Sequence, residues 1–86
     1  MSQRLTLQWR AANVTIEKPD GSKEDFPRHR AYVDGPSIVL RDRRGLELAT
    51  LDAVTTENVD RRTYRFTSSD GEIWTVAKAG CGCGGK

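Results

Sequence analysis

The segment Thr63-Tyr64-Arg65-Phe66-Thr67-Ser68-Ser69-Asp70-Gly71-Glu72-Ile73-Trp74-Thr75-Val76 decides the fold class of this chain. Tyr64 and Phe66 alternate with Thr63, Arg65 and Thr67, which is the period of two of a half-buried strand. Ser68-Ser69-Asp70-Gly71 follows. Asp-Gly favours the primed or bulged turns that join antiparallel strands, because glycine takes positive φ without a steric penalty. Ile73-Trp74-Thr75-Val76 returns as the partner strand. The segment therefore reads as a β-hairpin.

The same period runs through the rest of the chain. Leu5, Leu7 and Trp9 alternate with Thr6 and Gln8, and Val14 and Ile16 with Thr15 and Glu17. Between them, Ala11-Ala12-Asn13 marks either a bend or bulge, or the middle of one long bent strand. Lys18-Pro19-Asp20-Gly21 is a turn: proline presets φ, aspartate bonds back to the backbone and glycine accepts positive φ. Ser22 to Phe26 reads as a short polar return strand, and Pro27 to His29 as irregular. Ala31-Tyr32-Val33 is a short strand, and Asp34-Gly35-Pro36 the next turn. Ile38-Val39-Leu40 has the continuous apolar character of a strand covered on both faces. Asp42-Arg43-Arg44-Gly45 turns the chain into a partner strand with Leu46, Leu48 and Thr50. Leu51 to Asp60 carries no clear period, and fits either one helical turn or a strand and loop. No segment has a 3.6-residue period. About six short strands joined by regular turns imply an all-β fold, a small antiparallel barrel or sandwich. Residues 1–78 are expected to form one β domain, and residues 79–86 a flexible Gly/Cys-rich C-terminal tail.

Composition limits the possibilities further. Of 86 residues, 36% are hydrophobic and 30% charged, with a formal net charge of +2. A domain of this size buries only about 60% of the surface its unfolded chain exposes, so self-association is a natural remedy for a thin core. No apolar run reaches the length of a membrane span, and no membrane partner is expected. Met1-Ser2-Gln3-Arg4 leads into an alternating segment instead of an apolar one, so no export signal is expected. The expected compartment is a cytoplasm, where thiols stay reduced.

An enzyme is not expected. The one histidine, His29, sits between Arg28 and Arg30 and reads as a solvated loop residue. The carboxylates show no paired spacing, and no glycine loop has the phosphate-cradling pattern. No cofactor is implied. Trp9, Tyr32, Tyr64, Phe66 and Trp74 read as core, with a base-stacking platform as the alternative. Arginines cluster at Arg28 and Arg30, at Arg41, Arg43 and Arg44, and at Arg61, Arg62 and Arg65. Such clusters are either solvated charged tips or contact elements for a partner subunit or for DNA phosphates.

Cys81 and Cys83 lie one residue apart among glycines. Structural zinc takes four ligands, and two thiols with one histidine cannot complete that set in a single chain. Two chains could supply four thiolates. A disulfide within the pair would be strained and easily reduced. The tail is thus an inert end, an ordered segment between subunits, or an intersubunit metal or redox site.

The sequence Tyr64-x-Phe66, then Ser69-Asp70-Gly71-Glu72-x-Trp74-x-Val76, then Gly80-Cys81-Gly82-Cys83-Gly84, resembles small structural proteins of the head-to-tail junction, or neck, of long-tailed actinobacteriophages. The likeness covers about the last 25 residues of the 86. It implies a non-enzymatic virion structural protein, a ring-forming component of the head-to-tail connector, assembled in the host bacterial cytoplasm. The implied partners are copies of itself, adjacent portal, adaptor and tail proteins, and non-specifically the packaged DNA. The alternatives are a small β-barrel nucleic-acid-binding module and a zinc-linked dimeric interaction domain. The candidate interface or DNA-facing residues are Arg41, Arg43, Arg44, Arg61, Arg62, Arg65, Cys81 and Cys83.

Overall fold

A computed structural model describes residues 6–79. Among them the chain forms six antiparallel strands and no helix: β1 (Thr6–Glu17), β2 (Lys23–Asp34), β3 (Ser37–Arg41), β4 (Glu47–Asp60), β5 (Thr63–Ser68) and β6 (Ile73–Lys78). Each strand pairs with the next, and β6 returns to β1, which closes a barrel.

Closure depends on three long strands that each serve two groups of neighbours. The first half of β1 pairs Thr6–Trp9 with Asp34–Ala31 of β2. Its second half, Ala12–Glu17, lies between the first half of β2 and all of β6. β4 likewise pairs Glu47–Asp52 with β3, then Ala53–Asp60 with β5. The barrel therefore has two halves. One contains the start of β1, the end of β2, β3 and the start of β4. The other contains the start of β2, the end of β1, β6, β5 and the end of β4. Register shifts at Trp9/Ala12, Ala12/Val14 and Ala53/Thr55 lie where β1 and β4 pass from one half to the other. Bulges of this kind bend a strand and raise its twist, which a small barrel requires.

The interior is filled by alternate residues of every strand. Val14, Val33, Ile38, Leu40, Phe66, Trp74 and Val76 are the largest fully buried side chains, with Ala12, Ile16, Ala31, Leu51 and Ala53 between them. The small residues of β1, β2 and β4 make room for Phe66 and Trp74. Trp74 is 1% exposed, and its indole N–H reaches the Glu72 carboxylate at 2.8 Å. Leaving that buried donor without a partner would lose about 1–3 kcal/mol.

Several expectations change here. β2 does not stop at Pro27; it runs through Pro27, Arg28 and His29. Proline lacks the N–H for a ladder bond. The chain accommodates it by placing Pro27 and Arg28 opposite the single residue Asn13, with Arg28 at φ 56° and its N–H donated to the Asn13 side-chain oxygen at 3.0 Å. His29 is then a half-buried strand residue instead of a loop one, with its ring edge against Phe26. Leu51–Asp60 is neither helix nor loop but the continuation of β4. The inward face of β4 is Ala49, Leu51 and Ala53, so Leu46 and Leu48 are exposed. The shift in register between Leu40 and Arg41 sets that phase. Ile38 and Leu40 point inward, while Val39 is only half covered.

Three hairpin tips share one construction. In Lys18–Ser22, Asp42–Leu46 and Ser68–Glu72, the first residue accepts from the glycine N–H and donates to the last residue's carbonyl. Gly21, Gly45 and Gly71 take φ of 95°, 91° and 97°. This is the three-residue hairpin loop with a glycine bulge. The tips also carry aspartates that accept hydrogen bonds. Asp20 accepts from the Ser22 N–H and hydroxyl, and Asp42 from the N–H groups of Leu46 and Arg44. Asp70 accepts from the Ser68 hydroxyl.

These bonds favour the ionised carboxylate and lower the pKa of all three below the ordinary aspartate value. For each, the largest cause is a single donor: the Ser22 N–H, the Leu46 N–H and the Ser68 hydroxyl. A carboxyl depressed in the folded state adds stability above its unfolded value and loses it as pH falls through the folded one. The thermal midpoint, followed by circular dichroism, should stay level down to about pH 5 and fall below about pH 4. The Asp20→Asn/Asp42→Asn/Asp70→Asn variant should show a shallower acid limb. An equally steep limb would assign the acid loss to other carboxylates.

Candidate nucleic-acid interface

The two arginine clusters expected to make contacts, Arg41/Arg43/Arg44 and Arg61/Arg62/Arg65, do not stay together in space. Neighbouring residues of a strand face opposite sides, and turn residues diverge. Arg41 is engaged within the fold: its Nη1 donates to the Gly45 carbonyl at 2.7 Å, its Nη2 lies 3.8 Å from Glu47, and its guanidinium sits 5.8 Å from the Tyr32 ring centroid. Tyr32 is therefore a half-exposed partner of Arg41 on the outer face, a correction to its expected place in the core. Arg65 pairs with Glu57 across β4 and β5 at 3.3 Å. Arg44 and Arg61 are exposed at hairpin tips. Cys81 and Cys83 lie outside the described residues.

The other two members, Arg43 and Arg62, join residues from elsewhere. Arg43 lines a surface cleft of about 340 Å³ with Arg10, Ala11, Arg28 and Arg30. The bulge that carries β2 past Pro27 brings Arg28 and Arg30 beside β1. Arg30 pairs in register with Arg41 and lies over the β3–β4 turn, where a side-chain carbon on Gly45 would come within 3.9 Å of its Nη1. Arg62 lines a second cleft, of about 380 Å³, with Gln8, Trp9, Arg10, Ala11, Lys78 and Ala79. The Arg62 carbonyl accepts from the Lys78 N–H at 2.7 Å, and the Ala79 N–H donates to the Ala11 carbonyl at 3.0 Å. These bonds hold the β4–β5 tip, the end of β6 and the middle of β1 together. Ala79, assigned from the sequence to the tail, is thus bonded to the barrel.

The clefts share Arg10 and Ala11 and lie on either side of β1. No described carboxylate lines either one. The ion pairs Arg41–Glu47 and Arg65–Glu57 leave Arg10, Arg28, Arg30, Arg43, Arg62 and Lys78 uninvolved. Six cationic side chains thus converge on one face. Asp42 and Asp60 are near in the chain, but Asp42 Oδ1 accepts from the N–H groups of Arg44 and Leu46, and Asp60 Oδ1 from the N–H of Arg62. At the opposite end of the long strands, the β1–β2 and β5–β6 tips touch at Pro19 and Gly71. That end carries Glu17, Asp20, Glu24, Asp25, Asp70 and Glu72 against Lys18, Lys23 and Arg65. The barrel is electrostatically polar.

Reasoning from the sequence missed Arg10 and Lys78 and did not place Arg28 and Arg30 at a site. Only the pairing of Ala12 with both His29 and Lys78 brings these residues to one stretch of β1.

The aromatic rings offer little free surface. Phe66 and Trp74 are core. Tyr64 stacks on Phe66 at 6.2 Å, and Trp9 tilts against Tyr64 at 5.9 Å, both partly buried against that core. The sole histidine, His29, has its Nδ1 2.8 Å from the Pro27 carbonyl. Among the described residues, no group of three or more potential ligands could hold a metal ion, and no helix is long and apolar enough to cross a membrane. No protein-family model, curated protein or solved structure matches the chain.

The Asn13–Arg28 bond that builds the first cleft can be tested directly. Asn13→Ala should lose about 1 kcal/mol of stability in urea unfolding, the usual worth of one such bond. Arg28→Gly should keep the fold and relieve the positive-φ strain, leaving stability equal or slightly higher. A marked loss in Arg28→Gly would mean that the arginine side chain, and not the backbone, holds the bulge.

Proposed function

We propose that this chain is a non-enzymatic structural subunit of a tailed bacteriophage particle, assembling with its own copies into a ring at the head-to-tail connector. The observation that carries the assembly reading is the open edge of β4. Beyond Asp52, β3 no longer pairs with β4, and apart from the Ala53–Pro36 bond no described residue bonds the strand on that side. Val54 and Val59 stand exposed along it, 67% and 45% accessible. An unpaired strand edge is a template for another chain, and exposed valines add apolar area to the contact.

The margin on the far side of the same barrel half is the first part of β2, Lys23–His29, which no described strand pairs on its outer side. Joining one margin to the other is a heterologous contact, and heterologous contacts close into rings when the rotation permits. The resemblance of the closing hairpin and tail to neck proteins supplies the biological setting. A thin core suits a subunit stabilised by its neighbours.

Sedimentation velocity over a concentration series tests the reading. The wild-type chain should form a discrete closed oligomer that dissociates on dilution. Val54→Lys/Val59→Lys should remain folded by circular dichroism and sediment as a monomer. Mass spectrometry of purified particles should detect the chain. A wild-type chain that stays monomeric at high concentration, or that is absent from the particles, would overturn the proposal.

A further inference from the structure

We propose that the two clefts flanking Arg10–Ala11 form one continuous track for the phosphate backbone of duplex nucleic acid. The inference rests on the geometry of a single chain and holds or fails independently of ring formation. Arg10, Arg28, Arg30 and Arg43 line one cleft, and Arg10, Arg62 and Lys78 the other. Like charges converging without carboxylate partners are unfavourable on their own, and an anion lying among them relieves that repulsion. Most of them are arginines, whose planar forks bind phosphate oxygens in pairs. The one strained non-glycine residue among those described, Arg28 at φ 56°, lines this track. Such strain concentrates at functional positions.

The choice of duplex backbone over single strands follows from the rings. Sequence-tolerant single-strand binders stack bases on free aromatic faces. Trp9, the aromatic at this surface, is turned against Tyr64, and Tyr32 is covered by Arg41. What the track presents is charge. Residues on β2 and β6 face each other across β1, two strand spacings or about 10 Å of backbone. At about 3.4 Å of axis per phosphate on one strand, that length meets about three phosphates.

Fluorescence anisotropy with the full 86-residue chain and labelled duplexes tests this. Two duplexes of unrelated sequence should bind equally. With about three phosphates neutralised, affinity should fall about 40-fold between about 50 and about 200 mM salt. Arg10→Ala/Arg30→Ala should reduce the salt slope by about 2. Arg10→Lys/Arg30→Lys should restore that slope. Arg44→Ala/Arg61→Ala, outside the clefts, should bind as the wild type does. Duplex binding absent at low salt, stronger binding to a single strand of the same length, or an equal loss in the Arg44/Arg61 variant would each overturn the proposal.

Discussion

The structure depends on β1 being shared. Its second half is hydrogen-bonded to β2 on one side and to β6 on the other, and the β1–β6 pairing alone turns a six-strand meander into a barrel. For a chain this small the consequence is large. Without closure, β1 and β6 would both be edges, and Val14, Ile16, Trp74 and Val76 would lose the neighbours that cover them. Closure also requires strands long enough to serve both halves, and bulges to bend them. The irregularities of β1, β2 and β4 are therefore part of how the barrel closes.

Those irregularities also create the surface features. The bulge at Pro27-Arg28, completed by the Asn13 side chain, turns Arg28 and Arg30 toward β1. The bonds from Lys78 to Arg62 and from Ala79 to Ala11 close the far side of the same stretch. One basic face results, and the acidic hairpin tips gather at the other end. The passage of β4 from β3 to β5 leaves the edge at Val54–Asp60 open. The proposed edge contact, between the β4 margin and Lys23–His29 of β2, meets the proposed polyanion track at Arg28, which belongs to both surfaces.

Much of the fold was legible because its signals are local. Asp70-Gly71 between two alternating runs names a hairpin, and Pro19-Asp20-Gly21 and Arg43-Arg44-Gly45 name turns with a physical reason for each residue. Where the reading failed, a non-local partner decided the outcome. Pro27 to His29 read as irregular because the bulge that carries the strand past Pro27, with the Arg28 N–H bonded to the Asn13 side-chain oxygen 15 residues away, is not visible locally. Leu51–Asp60 looked aperiodic because two register shifts interrupt its alternation. Leu46, Leu48 and Thr50 read as one alternating strand, yet the shift after Leu40 gives the interior to Ala49 and Leu51. The arginine clusters misled for a related reason: proximity in sequence scattered Arg41, Arg43 and Arg44 among different roles, while strand register assembled Arg10, Arg28, Arg30 and Arg43 from three separate segments.

Closure by β1 is the claim on which the rest stands, and NMR of the backbone α-protons tests it most directly. A closed barrel should give cross-strand nuclear Overhauser contacts between residues 12–17 and 73–78 in the register that pairs Val14 with Val76, together with slow amide exchange through both segments. Contacts within the β1–β2 and β5–β6 hairpins, with none between β1 and β6 and rapid exchange along both strands, would contradict it.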